Sequence, residues 1–319
     1  MQTKTIAILV SLCLVSFTHA LASSKCAVGR NPTGIVADGQ NFWVANFGSN
    51  TVTKFQQNSC TPVGTYTVGA NPIGLAVDPL NGTLWVSNFT SNSVTELSTA
   101  NGSMIGTYIV GTGPRGLVWD GVSVWVANSV SNTITRLDAS PSNHGHVMGT
   151  YSSQGAAPYG LAFDGNNIWV ANRNSNSVVQ LSGSGVTVGM LLSTNFVSAQ
   201  PQALAWDGQN IWATCYSAGA VVKIQKSTGT VTTFTSNVPA GPFAIAYDGT
   251  SIWVAGYAAS VILRMDAATG AGLTTFTINN DSNGAFNPYG IIVQGFPPVA
   301  PVVTVTGFSD NTILQFIPQ

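Results

Sequence analysis

The chain has 319 residues, only 7% of them charged, and a formal net charge of −1, against about 25% charged residues in an average soluble domain. This excludes the basic field that a phosphate backbone or an anionic membrane surface requires, so no nucleic-acid partner is expected. Apolar residues make up 45% of the chain, enough for a large core, and the polar surface must come from Asn, Ser, Thr, Gln and Gly, which suits work outside the cytoplasm.

The first predicted element is a leader. Lys4 precedes an apolar run from Ile6 to Phe17, and Ala20 and Ala22 form a small-residue cleavage signal. Residues 1–22 are expected to be a secretory signal peptide, removed after Ala22, with 23–319 forming one exported domain, whether periplasmic, secreted or at the cell surface. The run is short for a membrane span, and Lys25 before Cys26 argues against a lipoprotein anchor. No other window is apolar enough to cross a bilayer, and a monomer is expected. Cys26, Cys60 and Cys215 remain after cleavage, and three cysteines cannot all pair within one chain. No C-x-x-C pair suggests zinc or redox chemistry.

From Asn31 onward the chain repeats. Units open at Pro32, Pro72, Pro114, Pro158, Pro201, Pro242 and Pro288, 40 to 46 residues apart. The fourth reads "PYGLAFDGNNIWVAN", then an Asn/Ser link, "SVVQL", a Gly/Ser turn and "VTVGMLL". Four short β-type runs in about 40–45 residues match one β-propeller blade. Consecutive apolar residues such as Ile168-Trp169-Val170-Ala171 require burial on both faces of a sheet, which blades packed around an axis supply. The last unit ends at a third strand, whereas "KCAVGRNP" near the mature N-terminus parallels "TYTVGANP" at the end of unit one. Cys26–Gly29 is therefore predicted to be the outer strand of the last blade, closing a seven-bladed, all-β ring and hiding its edges. Cys26 and Cys60, on neighbouring blades, form a candidate disulfide.

The phrase "WVANFGSNTVT" resembles the Tyr-Val-Thr-Asn (YVTN) propeller repeat of bacterial and archaeal surface proteins, with Trp for Tyr. The "P-x-GLA-x-D" strand is similar to NHL-type propellers and the streptogramin (virginiamycin B) lyase group. These resemblances imply the fold; the lyase likeness further implies a His and Glu constellation with a divalent cation at the channel mouth. No unit offers matching His or Glu near its strand ends. Gluconolactonase-like propellers imply metal-binding carboxylates, including a Glu, around the channel, and these are not evident either.

Trp recurs at 43, 85, 125, 169, 212 and 253, read as one packing ring per blade rather than a ligand stack. Asp38, Asp78, Asp120, Asp164, Asp207 and Asp248 follow the first strand of the first six units and are read as hairpin-turn residues whose carboxylates bond local N–H groups. That leaves few acids, Glu96 being the single Glu, and no pair suited to acid–base work. Both mature histidines fall in "NHGH", 143–146, expected to be an exposed flexible loop.

Function is expected where the repeat varies. Within Pro-x-Gly the variable residues are Thr33, Ile73, Arg115, Tyr159, Gln202, Phe243 and Tyr289. After the second strand come Phe47, Phe89, Ser129, Arg173, Tyr216, Tyr257 and Phe308. Units five and six also lose the Asn of "WVAN", giving Cys215, a thiol or a small buried hydrophobe, and Gly256. Both sets of loops share one face. The candidate binding residues are Phe47, Phe89, Arg115, Tyr159, Arg173, Gln202, Tyr216, Phe243, Tyr257 and Tyr289, forming an aromatic, Arg-bearing rim for a small molecule, glycan or protein surface. No cofactor is expected on this reading; a lyase-like or lactonase-like enzyme would place a divalent cation in the channel, and a passive surface repeat would have no site.

Overall fold

The runs of paired apolar residues become strands wherever the repeat puts them. The computed structural model describes residues 23–57, 59, 61–278, 286–295 and 301–318; the expected leader and Cys60 lie outside these. In blade one, Pro32–Ala37, Asn41–Asn46, Thr51–Gln56 and Pro62–Thr67 form a four-stranded antiparallel meander. The next five blades repeat it over 72–109, 114–152, 158–196, 201–234 and 242–277. Blade seven takes Pro288–Gln294, Val302–Gly307 and Thr312–Phe316 from the C-terminus, and Ser23–Ala27 pairs with the last of these as its outer strand. The closing strand thus begins three residues earlier than the sequence parallel suggests and ends at Ala27. The Val28 N–H still donates to the Asn311 carbonyl, so the ladder fades rather than stops. Cys26 is disulfide-bonded.

The core lies between blades. Trp43, Val52, Leu75, Leu84 and Leu97 form one cluster across blades one and two, and Cys26, Ile35, Phe42, Val44 and Ile313 form another where the ring closes. Second strands are buried on both faces, as in Ser123–Asn128 and Asn167–Asn172, whereas outer strands such as Met104–Ile109 present alternate residues to solvent. The six Trp side chains of the second strands are fully buried. Each removes roughly 150–250 Å² from water, an upper stabilisation of about 4–6 kcal/mol.

The Asp of the hairpin turn does more than shape the turn. In blade one, Asp38 Oδ1 accepts from the Gln40 and Asn41 backbone N–H groups, while Oδ2 accepts the Trp43 indole N–H at 2.8 Å. The indole bond recurs from Trp125, Trp169, Trp212 and Trp253 to Asp120, Asp164, Asp207 and Asp248 at 2.6–2.7 Å. Blade two is the exception. Its turn "DPLNG" is longer, and Trp85 donates instead to Thr83 Oγ1. On the third strand, Lys54, Arg136, Lys223 and Arg264 stand 5.0–5.4 Å from the indole centres of Trp43, Trp125, Trp212 and Trp253, a cation–π contact worth about 0.5–2 kcal/mol each.

The "SN" after the second strand stitches blade to blade. Asn50, Asn92, Asn132, Asn176 and Asn311 sit at φ of 52–58°, a region that Asn tolerates better than most residues. Their side-chain oxygens accept the backbone N–H groups of Asn71, Gly113, Ala157, Gln200 and Asn31 in the following blade.

Candidate functional site

Two local features deliver the variable residues to the axis. Every first strand shows a register shift within a few residues of its proline, as between Pro114 and Leu117 or Pro242 and Ala244. Such a bulge re-aims side chains, here the residue between Pro and Gly. The Gly that follows lets neighbouring inner strands approach: a Cβ at Gly74 would collide with the Arg115 carbonyl oxygen. Proline, bulge and a small residue (glycine in five blades, Ala203 and Ala244 in the other two) together set the variable side chains of blades two to seven at one end of the channel, while Thr33 of blade one is buried against the Ala45, Pro72 and Ile73 carbonyls.

There, Arg115, Tyr159, Gln202, Phe243 and Tyr289 line a cavity of about 150 Å³ with Ile73 and the inner-strand glycines. Phe243 and Tyr289 approach to 4.3 Å between ring centres, and Tyr159 meets Phe243 edge-on at 6.1 Å. Tyr216 and Tyr257 pack on Phe243 from the second-strand loops, at 6.1 and 5.7 Å. Phe308 stacks on Tyr289 at 5.6 Å and touches Tyr257 and Phe47, extending the aromatic arc back to blade one.

Arg115 is the cation of this arc. Its guanidinium carbon lies 4.5 Å from the Phe89 ring centre and 4.3 Å from that of Tyr159. Nε donates to Ser129 Oγ at 3.2 Å, and a terminal nitrogen donates to the Tyr159 hydroxyl at 2.8 Å. Among the described residues no carboxylate pairs with it. Gln202 is 2% exposed and its Oε1 has no hydrogen-bond partner among the described residues. Burial drives the Tyr289 hydroxyl well above the usual phenol range, reinforced by Tyr159 and only partly opposed by Arg115. Burial, with Tyr216 and Tyr159 beside it, also raises Tyr257. These phenols stay neutral near pH 7, so they can donate hydrogen bonds.

Of the ten residues singled out in the sequence, nine belong to this assembly: five line the cavity, and Phe47, Phe89, Tyr216 and Tyr257 back it. Arg173 does not; it turns along the rim and donates to Gln200 Oε1 at 3.0 Å. Phe308 completes the arc and was legible only as one variable position among many.

Blade seven, with Gly307, lacks the Asn as well as blades five and six, and for Gly256 and Gly307 the absence has a packing reason. In blades one to four the buried Asn faces a small residue on the incoming loop; a Cβ at Gly29 would lie 2.7 Å from the Asn46 side chain. In blade six the sizes are exchanged, with Pro239 filling the space over Gly256, and in blade seven Phe286 does so over Gly307. Cys215 is fully buried, and burial pushes its thiol up to about 12, so it acts as a small core side chain.

The "NHGH" segment is a loop with Asn143 and His146 exposed, but its His144 is half-buried against the neighbouring blade. His144 Nδ1 reaches 3.1 Å from Glu96 Oε1, the side chains being 24% and 0% exposed, and Tyr108 donates to Glu96 Oε2 at 2.8 Å. The contact is close but not aligned as a hydrogen bond, since both facing atoms lack a partner of good geometry. It lies between blades two and three on the turn side, away from the channel mouth. The lining offers phenols, an amide and Arg but no carboxylate, a donor set that does not fit a divalent cation, and no group of three or more His, Cys, Asp or Glu occurs among the described residues. Wider hollows, of about 390 Å³ beside Trp206 and Lys226 and about 700 Å³ over Asp207, Lys223 and Asp266, open on the Asp-turn face.

The fold and the mouth define a seven-bladed β-propeller with an aromatic, Arg-bearing channel. No family model and no curated protein matches the chain. Among solved structures it is similar to virginiamycin B lyase from Staphylococcus aureus, with a TM-score of 0.78 at 16% identity over 93% of this chain and 99% of that one. It is likewise similar to hydrazine synthase of Kuenenia stuttgartiensis, at 0.76, 16%, 90% and 96%. The WD40 propeller domain of Doa1 follows at 0.75, 13%, 93% and 96%. At these identities the likeness is one of fold, and it joins lyases with a WD40 domain.

Proposed function

We propose that this chain is an exported, non-enzymatic binding protein whose channel mouth takes a small molecule, or the end of a glycan or peptide. The observation that carries this reading is the convergence of the variable positions of blades three to seven on one cavity, while the repeated positions are consumed by packing and interblade bonds. Apolar walls with a few fixed polar groups are the usual makeup of a ligand site. A lyase reading draws on the likeness to the Staphylococcus aureus enzyme but needs His and Glu at the mouth, and the described Glu96 and His144 meet on the other face. A thermal-shift screen of residues 23–319 against metabolites and glycans tests the proposal. Hits that Phe243→Ala and Tyr289→Ala both abolish are expected; hits that both variants retain would move the site elsewhere.

A further inference from the structure

Resting on that reading, we propose that the mouth selects a small, flat monocarboxylate that also carries a hydroxyl or N–H donor, a class represented by the hydroxybenzoates. Three features of the cavity converge on this chemistry. A guanidinium held between two rings, with no carboxylate partner among the described residues, is set to bind a planar anion through its remaining N–H donors. Its Nε and one terminal nitrogen are engaged with Ser129 and Tyr159, which fixes the plane in advance and lowers the ordering cost of binding.

The second feature is Gln202. A buried acceptor without a partner costs about 1–3 kcal/mol, and this one belongs to a residue that lines the cavity. A ligand O–H or N–H would satisfy it. The third is size and shape: a cavity of about 150 Å³ accommodates a benzene-sized body, and Tyr159, Phe243 and Tyr289 present ring faces and edges for a flat one. A disaccharide or a bulky macrocycle exceeds the cavity and would engage only the outer arc. Neutral phenols around the anion site add donors without adding negative charge.

The test is isothermal titration of the mature protein with 3- and 4-hydroxybenzoate, benzoate and 4-hydroxybenzyl alcohol. At least one hydroxybenzoate should bind about tenfold or more tightly than either benzoate or the neutral alcohol, the ratio one charge-assisted or newly satisfied bond supplies. Arg115→Met should erase the preference for the acid over the alcohol, and Gln202→Leu the preference for hydroxybenzoate over benzoate. Gln202→Glu, nearly isosteric, should reject both acids and guards against a folding defect in the Leu variant. Equal binding of acid and alcohol by the wild type, or no binding of any acid, overturns the ligand class. If a neutral hit from the broader screen is then lost in Phe243→Ala, the mouth remains a site and only its chemistry was misassigned; if hits survive that variant, the mouth reading falls as well.

Discussion

The two ends of the channel are built from the same repeat and have opposite characters. At the turn end, five blades place an Asp carboxylate on a Trp indole within 2.6–2.8 Å, and four place a cation over that ring. At the mouth, the equivalent positions run Thr, Ile, Arg, Tyr, Gln, Phe and Tyr, and no two adjacent blades match. Near-uniformity at one end reflects a packing problem solved the same way in five of the seven blades. Variety at the other implies an asymmetric demand, and an asymmetric ligand provides one.

That contrast can be broken most forcefully at a Trp. Trp169→Ala should cost about 3–5 kcal/mol in urea unfolding, the range for emptying a buried aromatic site, whereas Phe243→Ala at the half-open mouth should cost well under half as much. A comparable loss at both would erase the distinction between scaffold and site.

A smaller effect separates blade one from blade two. Asp38→Ala strands the Trp43 N–H and two turn N–H groups and should cost about 1–3 kcal/mol. Asp78→Ala leaves Trp85 bonded to Thr83, so the indole keeps its partner and the loss should be the lesser; chemical denaturation of both variants compares them, and the reverse order would contradict the assigned role of the long turn.

The turn end also predicts a pH response. Burial tends to raise Asp38, Asp164, Asp207 and Asp248, but bonds from the Trp indoles and turn N–H groups outweigh it and hold all four below the ordinary 3.8. Groups depressed on folding contribute stability that is present above the unfolded value and lost as pH falls through the folded one. Melting temperature should therefore drop below about pH 4. Glu96 runs the other way: burial raises it above 4.5 despite Tyr108 and His144, so its contribution is largest at low pH and lost as pH rises through its folded value. Glu96→Gln should raise stability above about pH 5 relative to its effect at pH 3, measured as melting temperature across that range; a pH-independent difference would remove Glu96 from the account.

The smallest effect belongs to Arg115→Met. The variant loses no ion pair among the described residues. It loses two cation–π contacts worth about 0.5–1 kcal/mol each and two hydrogen bonds to hydroxyls that water can replace at a half-open site. Its melting temperature should fall only slightly while ligand binding changes.

Most of the fold could be read from the sequence because each blade states nearly the same constraints: a proline to start, paired apolar residues for two buried faces, and, in five of the seven, Asp-Gly to turn. The mouth was legible as a face, since loop parity puts both variable sets on one side. Which residues meet there was not. Phe308 and Arg173 occupy equivalent places in the repeat, yet one stacks on Tyr289 and the other reaches for Gln200, a difference set by the neighbouring blade. The Asp–Trp bond was missed for a similar reason, because a turn residue satisfied locally at one oxygen gives no sign of what the other reaches. His144 does lie in a loop, but its contact with Glu96 gave no sign in the sequence because Glu96 is one blade away.

The central claim is that the varied mouth is a binding site and the repeated remainder its scaffold. A crystal structure of residues 23–319 with the tightest hit from the ligand screen tests it most directly. The account predicts the molecule in the cavity between Arg115, Gln202 and Tyr289, contacting Phe243, with the blades unmoved. A molecule seated instead on the Asp-turn face, or against the outer strands, would contradict it.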